Sequence, residues 1–288
     1  MQNIFSRLAE ILPDKVYLNI LFFRHHHRLL NLNDPQNFND QIQWLKLNGK
    51  LERFSQFVDK YTVRGYVESK IGKEYLVPMY GVWDNFDDID FSLLPQQFVL
   101  KATHGCGYNY ICKDKSKINL PIVKKNFDKW MKENFYIRER EPQYKNCQPR
   151  IIAEKYLEDQ SDQLTDYKFY CSKGNVTDIQ VNVDRFSSNM IDQHMDVNWK
   201  TAKSIQNKLF SLSDKPVKKP RQFSKMLLLA QKLSEDFPFV RVDLYYAEDK
   251  IYFGELTFTP GSGLIKFDRT ANTDQEFARI LKIDLAAY

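Results

Sequence analysis

The chain has 288 residues, of which 43% are hydrophobic and 14% aromatic, and it carries a formal charge of +5. That much apolar surface offsets the entropy of ordering a chain, which excludes a disordered protein, and 10 glycines with 11 prolines exclude a fibrous or repeat architecture. The charge is too mild for a dedicated nucleic-acid binder, so no nucleic-acid partner is expected. Cys106, Cys112, Cys147 and Cys171 form neither a CxxC nor a His-paired metal spacing, which fits reduced thiols in a cytoplasmic protein. No signal-peptide pattern and no apolar run of roughly 18 residues occurs, so no transmembrane segment is expected and any membrane association would be peripheral.

In chain order, residues 1–58 read as helical. Phe38, Ile42, Trp44, Leu45 and Leu47 approximate helical spacing, with Asn37 or Asn39 as the cap. His25, His26 and His27 also lie here. Ligand pairs on a helix sit three or four residues apart, so three consecutive imidazoles indicate a basic surface or turn rather than a zinc site. Residues 59–72 suggest another helix, with Gly72 as a left-handed C-terminal cap. Short strands follow at Val77–Met79, Phe98–Lys101 and Tyr108–Cys112, then a helix over 121–136 and a polar loop over 137–149. A strand begins at Arg150 and runs into a connector at Leu157. Asp166–Lys173 and Val176–Asp184 read as a hairpin turning at Gly174 and Asn175. Residues 186–220 are mostly polar and carry little signal, which suits a substrate-facing or mobile loop. A helix at Gln222–Leu233 and strands at Val240–Tyr246 and Ile251–Phe258 complete an α+β order with antiparallel pairs in its second half.

Three stretches have residues suited to chemistry. In the last hairpin, alternation puts Arg241 and Asp243 on one face of a strand and Glu255 and Thr257 on one face of the next. A turn near Glu248–Lys250 sets Asp243 opposite Glu255. Opposed carboxylates repel, and hard oxygen ligands select Mg2+, which commonly bridges carboxylates to nucleotide phosphates. The competing reading pairs one acid with Arg241 or leaves it in solvent. The second stretch, Phe98 to Gly107, brings Lys101 to a strand end before a loop containing His104, Gly105 and Gly107. Glycines let backbone N–H groups approach phosphate and lysine adds a point charge, although the spacing is not that of a Walker A loop. His104 could touch substrate or simply hydrogen-bond its own loop. The third, Arg150 to Leu157, is an apolar strand entering Glu154, Lys155, Tyr156 and Leu157, which suits a purine edge as well as a solvated strand end.

The order of these stretches is more specific than any one of them. At this point the chain resembles the ATP-grasp superfamily and, within it, the teichuronopeptide-biosynthesis (TupA-like) family. The likeness runs through Asn31 to Pro35, Phe38, Ile42 to Lys46, Asp59-Lys60, Arg64 to Val67, Phe98 to Gly107, Glu154 to Leu157, Asp166 to Lys168, Val183 to Arg185 and Phe239 to Asp243. Its most distinctive segment is Gly254 to Gly263.

The resemblance implies an ATP-grasp fold, with two α+β lobes clasping a nucleotide. A helical segment (1–58) would precede a first lobe with a glycine loop (59–153) and a second lobe with hinge, metal-binding hairpin and substrate loops (154–288). Lys60 and Lys101 resemble the lysines that reach the nucleotide phosphates, and Gly105 and Gly107 the flexible loop over them. Glu154, Lys155, Tyr156 and Leu157 resemble the adenine hinge, with Asp166 as the ribose-binding acid. Arg185 and Arg241 resemble the arginines that hold the substrate carboxylate or its phosphorylated form. Asp243 and Glu255 resemble Mg2+ ligands, and Pro260, Gly261, Ser262 and Gly263 a substrate-binding turn. Many members carry Asn two residues after the metal-binding Glu, where this chain has Thr257; Thr259 is an alternative neutral oxygen ligand. The implied activity is an ADP-forming carboxylate–amine ligase using ATP and Mg2+ through an acyl phosphate. Its implied substrates are a uronic acid of a surface polysaccharide, or a precursor of one, and an amino acid or small amino alcohol.

Two readings compete with this one. Asp88-Ile89-Asp90 has the DxD form that holds metal and diphosphate in sugar-nucleotide-dependent glycosyltransferases, although it sits in an acidic loop from Asp84 to Asp90. A non-catalytic carbohydrate-binding protein could use the abundant aromatics as stacking platforms, although aromatics at these spacings more often form core.

Overall fold

The computed structural model describes residues 11–158, 164–183, 191–201, 217–267 and 272–288. Helices α1 (Asp14–His26) and α2 (Phe38–Asn48) come first among the described residues, followed by single turns at Leu51–Phe54 and Ser55–Val58 and by α3 (Val63–Ile71). Strands β1 (Met79–Trp83), β2 (Phe98–Ala102) and β3 (Asn109–Cys112) precede α4 (Leu120–Trp130) and β4 (Ile151–Lys155). Then come β5 (Asp166–Ser172), β6 (Asn175–Val183), β7 (Ile191–Met195), α5 (Phe223–Ser234), β8 (Val240–Ala247), β9 (Lys250–Thr257) and α6 (Thr273–Leu281). They form two antiparallel sheets, β1-β4-β2-β3 and β7-β6-β5-β8-β9.

The α+β order stands, and the departures from expectation have local causes. Asp59 Oδ1 accepts hydrogen bonds from the amides of Tyr61 (2.9 Å) and Thr62 (2.8 Å), so a side-chain-closed turn delays α3 until Val63. Gly72 ends α3 at φ 110°, ψ 155°, outside the left-handed helical well. The first strand starts at Met79 rather than Val77. Pro78 has no amide to donate to a ladder, and its carbonyl accepts from Lys155 N instead (2.9 Å). Helix α4 stops at Trp130, and Asn134 Oδ1 starts a new turn by accepting from the Tyr136 amide (3.1 Å). The β5–β6 turn falls on Lys173 and Gly174, both at positive φ, one residue earlier than expected. Within the stretch read as a loop, Ile191–Met195 is an edge strand, because pairing with β6 overrides a polar composition.

One core lies against the five-stranded sheet. It joins Phe169, Val242, Leu244 and Leu256 to Met226, Ala230 and Leu233 of α5, and it also takes in Phe38, Ile42 and Leu45 of α2 and Val63 and Val67 of α3. Helices α2 and α3 therefore pack on the second sheet, not the first. A second core beneath the four-stranded sheet joins Phe98, Leu100 and Ala153 to Val123 and Phe127 of α4. Among the described residues no helix is long and apolar enough to cross a membrane.

Candidate functional site

The five-stranded sheet has one apolar and one polar face. Tyr167, Phe169, Val242 and Leu244 alternate onto the apolar side. On the other side a row crosses every strand in register: Glu255 opposite Asp243, Asp243 opposite Lys168, Lys168 opposite Gln180, and Gln180 opposite His194. Beside it run Thr257 opposite Arg241 and Arg241 opposite Tyr170.

A bulge creates the Asp243–Glu255 opposition. From the turn at Glu248 and Asp249, pairing proceeds regularly from Ala247–Lys250 to Leu244–Phe253. Continued without interruption, it would set Asp243 against Gly254 and turn Glu255 to the apolar face. The register shift absorbs Gly254 and brings Glu255 opposite Asp243. A β-carbon on residue 254 would lie 3.0 Å from the Asp243 carbonyl oxygen and 3.1 Å from the Tyr245 ring, so any larger residue would push its neighbours back.

The charges on this face are tightly paired. Arg241 donates from Nε to Asp243 Oδ1 (2.7 Å) and from its terminal nitrogen to Asp243 Oδ2 (2.7 Å), Glu255 Oε1 (3.1 Å) and Thr257 Oγ1 (3.1 Å). Lys168 Nζ donates to the same Asp243 Oδ2 (2.7 Å) and lies 3.4 Å from Asp166 Oδ2. Burial pushes the Asp243 carboxyl up, but Arg241 and Lys168 overcome it and hold its pKa below the ordinary value. Burial likewise opposes the charge on Arg241, and Asp243 reverses the effect and raises it. Asp243 is 2% exposed, whereas the Glu255 side chain is 39% exposed and marks the open end. The pairing of an acid with Arg241, one of the two readings of this hairpin, is thus present. Among the described residues no group of three or more His, Cys, Asp or Glu side chains is arranged around a metal position. Two opposed carboxylates and a hydroxyl are still a hard-oxygen set of the kind that holds Mg2+ together with substrate phosphates.

The four-stranded sheet supplies a second cluster. Lys101, near the end of β2, and Arg64 of α3 meet Glu154 of β4, at 2.7 Å to Oε2 and 3.0 Å to Oε1. Glu154 thus fixes a cation rather than facing solvent. Lys155 pairs with Glu248 at 2.7 Å, Lys113 lies over the Tyr156 ring, and Leu157 is buried with Val77, Ala247 and Tyr252. The connector after β4 therefore rests on the β8–β9 hairpin. Lys60 Nζ donates to the Gly105 carbonyl, which ties it to the glycine loop. Gly107 has φ 77° and open space around its α-carbon, while a β-carbon on Gly105 would strike Tyr108 and Phe135. His104 is buried, its Nε2 2.9 Å from the Trp130 carbonyl, and burial lowers its pKa. Through that nitrogen it ties the loop to the end of α4, which is the second of the roles open to it.

The turn at Pro260–Gly263 takes positive φ at Gly261, Ser262 and Gly263. Helix α2 holds it from beneath. Lys46 Nζ donates to the Ser262 carbonyl (2.6 Å), and Gln43 Nε2 donates to the carbonyls of Ser262 (2.9 Å) and Gly263 (3.0 Å). Thr259 donates to Glu141 and accepts from Gln143 Nε2 (2.6 Å). Burial lowers Lys46 to about 8 and raises Glu141 to about 7. Thr259 is thus committed to this cluster and not to the Asp243 face.

Lys168, Arg64, Lys46 and Glu141 were not singled out for roles by the sequence reading. Lys168 alone had a visible signal, lying two residues after Asp166 and so on the same strand face. The others join only through tertiary packing. Arg185 lies outside the described residues. Asp90 accepts from the Ser92 amide (2.9 Å) and hydroxyl (2.6 Å), and Asp88 from Asn85 Nδ2 (3.1 Å), so the DxD acids close their own turns.

A family model described as TupA-like ATPgrasp matches residues 40–282. That is most of the chain, and the chain belongs to this family. Among solved structures it is similar to a D-alanine–D-alanine ligase from Bacillus anthracis, at 15% identity and TM-score 0.44, over 79% of this chain and 64% of that one. It is also similar to the D-alanine–D-alanine ligase from Helicobacter pylori, at 13% identity and TM-score 0.41, over 87% of this chain and 70% of that one. The chain thus spans under two thirds of the Bacillus protein's length. No curated protein matches it in sequence.

Proposed function

We propose that this member of the TupA-like ATP-grasp family is an ATP-dependent carboxylate–amine ligase that forms an amide through an acyl phosphate. The observation that carries the reading is the bulged hairpin, which sets Asp243 opposite Glu255 with Arg241 and Lys168 against them. A free carboxylate resists amine attack because oxide would have to leave, and transfer of a phosphoryl group from ATP gives it phosphate as leaving group. Asp243 and Glu255, with Thr257, would hold Mg2+, which supplies positive charge to the transferring phosphoryl group.

The chain's own cations have corresponding tasks in this scheme. Lys101 and Lys60, from the first sheet and the segment before it, would meet the phosphates from one side. Lys168 and Arg241 would meet them from the other, where negative charge builds in the transition state. Glu154 keeps Lys101 in place, and the connector Lys155–Leu157, resting on Ala247 and Tyr252, would receive the adenine, with Asp166 near its ribose. The turn at Pro260–Gly263, held by Lys46 and Gln43, would position the carboxylate substrate. A glycine loop at Gly105 and Gly107 would cover the site and exclude water, which hydrolyses acyl phosphates. The family supports a uronic acid of a surface polysaccharide, or a precursor of one, as the carboxylate, with an amino acid or amino alcohol as the amine.

Incubation with ATP, Mg2+ and candidate uronic acid–amine pairs should release ADP and phosphate in step with amide formation. AMP and pyrophosphate as products would overturn the acyl-phosphate reading. UDP release from UDP-sugars without ATP would favour a glycosyltransferase.

A further inference from the structure

The end of α1 and the start of α6 flank a half-open pocket of about 440 Å3 that the proposed reaction does not use, lined by His25, His27, Arg28, Lys266, Thr273 and Asp274 among others. We propose that it is a second oxyanion site, taking the carboxylate or phosphate of a sugar-sized ligand. Its volume lies within the range of small-molecule pockets.

Among the described residues, donors at its α6 end lack acceptors. Asn272 precedes the helix in a left-handed conformation and its side chain caps nothing. The first bonds in this end of the helix run from the amides of Gln275 and Glu276 to the Asn272 carbonyl, both at 3.0 Å. The Thr273 and Asp274 amides therefore point out of the helix, as the first amides of any helix do. Thr273 is fully buried, and its hydroxyl has no hydrogen-bond partner. A buried hydroxyl without a partner costs on the order of 1–3 kcal/mol, so this one marks a place where an acceptor belongs. A bound oxyanion would accept from the hydroxyl and both amides, and the helix dipole favours negative charge there.

The charges around the cavity agree. Its acid, Asp274, is already bound by the Asn39 amide (3.0 Å), Asn39 Nδ2 (3.0 Å) and Arg28 (3.5 Å), and Arg28 also pairs with Asp40 at 2.8 Å. With those groups committed, Lys266 is, among the described residues lining the cavity, the lysine or arginine left to face a ligand. Burial and then Lys266 hold His25 below its ordinary pKa, so an anion between them would draw a proton onto His25. The cavity begins just beyond the turn at Pro260–Gly263, and Asn39 fixes Ile265 at its wall through paired bonds of 2.9 Å. On the ligase reading, a second charged group of the carboxylate substrate would reach it. The binding itself does not depend on that reading.

The test is an NMR titration of the full chain, reading the imidazoles of His25 and His27, with inorganic phosphate and, separately, glucuronate. Both resonances should shift saturably with at least one probe, and Lys266→Ala and Thr273→Val should each weaken that binding by about tenfold, as for loss of one charge-assisted contact. Response to phosphate alone identifies a phosphate ligand, and response to glucuronate alone a carboxylate. The proposal is overturned if neither probe moves these resonances, or if both variants respond like the unaltered protein. Because the readout sits in the cavity, failure of the ligase activity would leave the result interpretable.

Discussion

The two sheets share antiparallel pairing but treat charge in opposite ways. The four-stranded sheet buries apolar residues and keeps its ionic contact, Lys101 to Glu154, near one end, where the Lys101 side chain is 24% exposed. The five-stranded sheet puts Arg241, Asp243, Lys168, Asp178, Asp192 and His194 on a single buried face. Burying ions is expensive even when they are paired, and an apolar face would stabilise a sheet at least as well. A fold selected for stability alone has no need of the second arrangement. The contrast teaches that the larger sheet holds a preorganised row of buried charge, while the smaller sheet pairs its Lys101 with Glu154 and is otherwise apolar inside.

The strongest way to break this contrast is at Asp243. Asp243→Asn leaves Arg241 and Lys168 without their shared anion, and should lower unfolding free energy by about 3–5 kcal/mol, the range for removing one partner of a buried pair. Glu255→Gln sharpens the point. Its side chain is partly exposed, so denaturant midpoints should hardly move while ADP release falls by at least about 100-fold, as for loss of a transition-state stabiliser. If Glu255→Gln keeps its turnover, the proposed role of the hairpin is wrong. Lys101→Met on the other sheet should cost roughly 1 kcal/mol or less in stability, because Arg64 remains on Glu154.

How much of this was legible follows the same division. The Asp243–Glu255 pairing could be read from alternation about a turn, because both residues lie on one hairpin and local spacing nearly fixes their relation. The one-residue shift at Gly254 could not, since a bulge leaves no trace in alternation beyond an unexplained glycine. The Lys101 strand and its glycine loop were also local. Arg64 meeting Glu154, or Lys46 reaching Ser262, depends on segments far apart in sequence, and no periodicity encodes such meetings. His104 was ambiguous because a loop imidazole beside glycines looks the same whether it faces a ligand or Trp130. The edge strand Ile191–Met195 was missed because Asp192 and His194 face the buried polar side and Gln193 interrupts the other, so the usual apolar alternation is absent.

The bulge gives an intermediate effect. Gly254→Ala sets a methyl group 3.0 Å from the Asp243 carbonyl, and the strand must shift to relieve it. Overpacking of this kind costs about 1–3 kcal/mol. The informative result is that turnover falls more than stability does, because a displaced bulge carries Glu255 away from Asp243. Gly81→Ala in β1 sets its methyl group against the Trp83 ring, a tighter contact away from the Asp243 face, and an equal excess loss of turnover there would show that the register at residue 254 has no special part.

The smallest effect lies where the two sheets join. Glu141, ahead of β4, donates no proton to Thr259 but accepts one in a hydrogen bond from it beyond β9. Burial raises its carboxyl from 4.5 to about 7, against the pull of Lys46. The folded state therefore binds this proton more tightly than the unfolded chain does. The resulting stabilisation is complete below about pH 4.5 and is lost as pH rises through about 7. Lys46 acts elsewhere: burial lowers it from 10.5 to about 8, so its opposition to folding fades only above that value. His194, raised by Asp178 against its burial, loses stability with rising pH in the same direction as Glu141, so a single pH curve does not separate them. The difference between the unaltered protein and Glu141→Gln does. Urea midpoints measured from about pH 5 to pH 7 should fall more steeply for the unaltered protein, because glutamine keeps an acceptor for Thr259 and has no proton to lose. Parallel curves would mean that Glu141 keeps its ordinary affinity for the proton and is ionised across this range, so that the junction, like the Asp243 face, holds a buried charge.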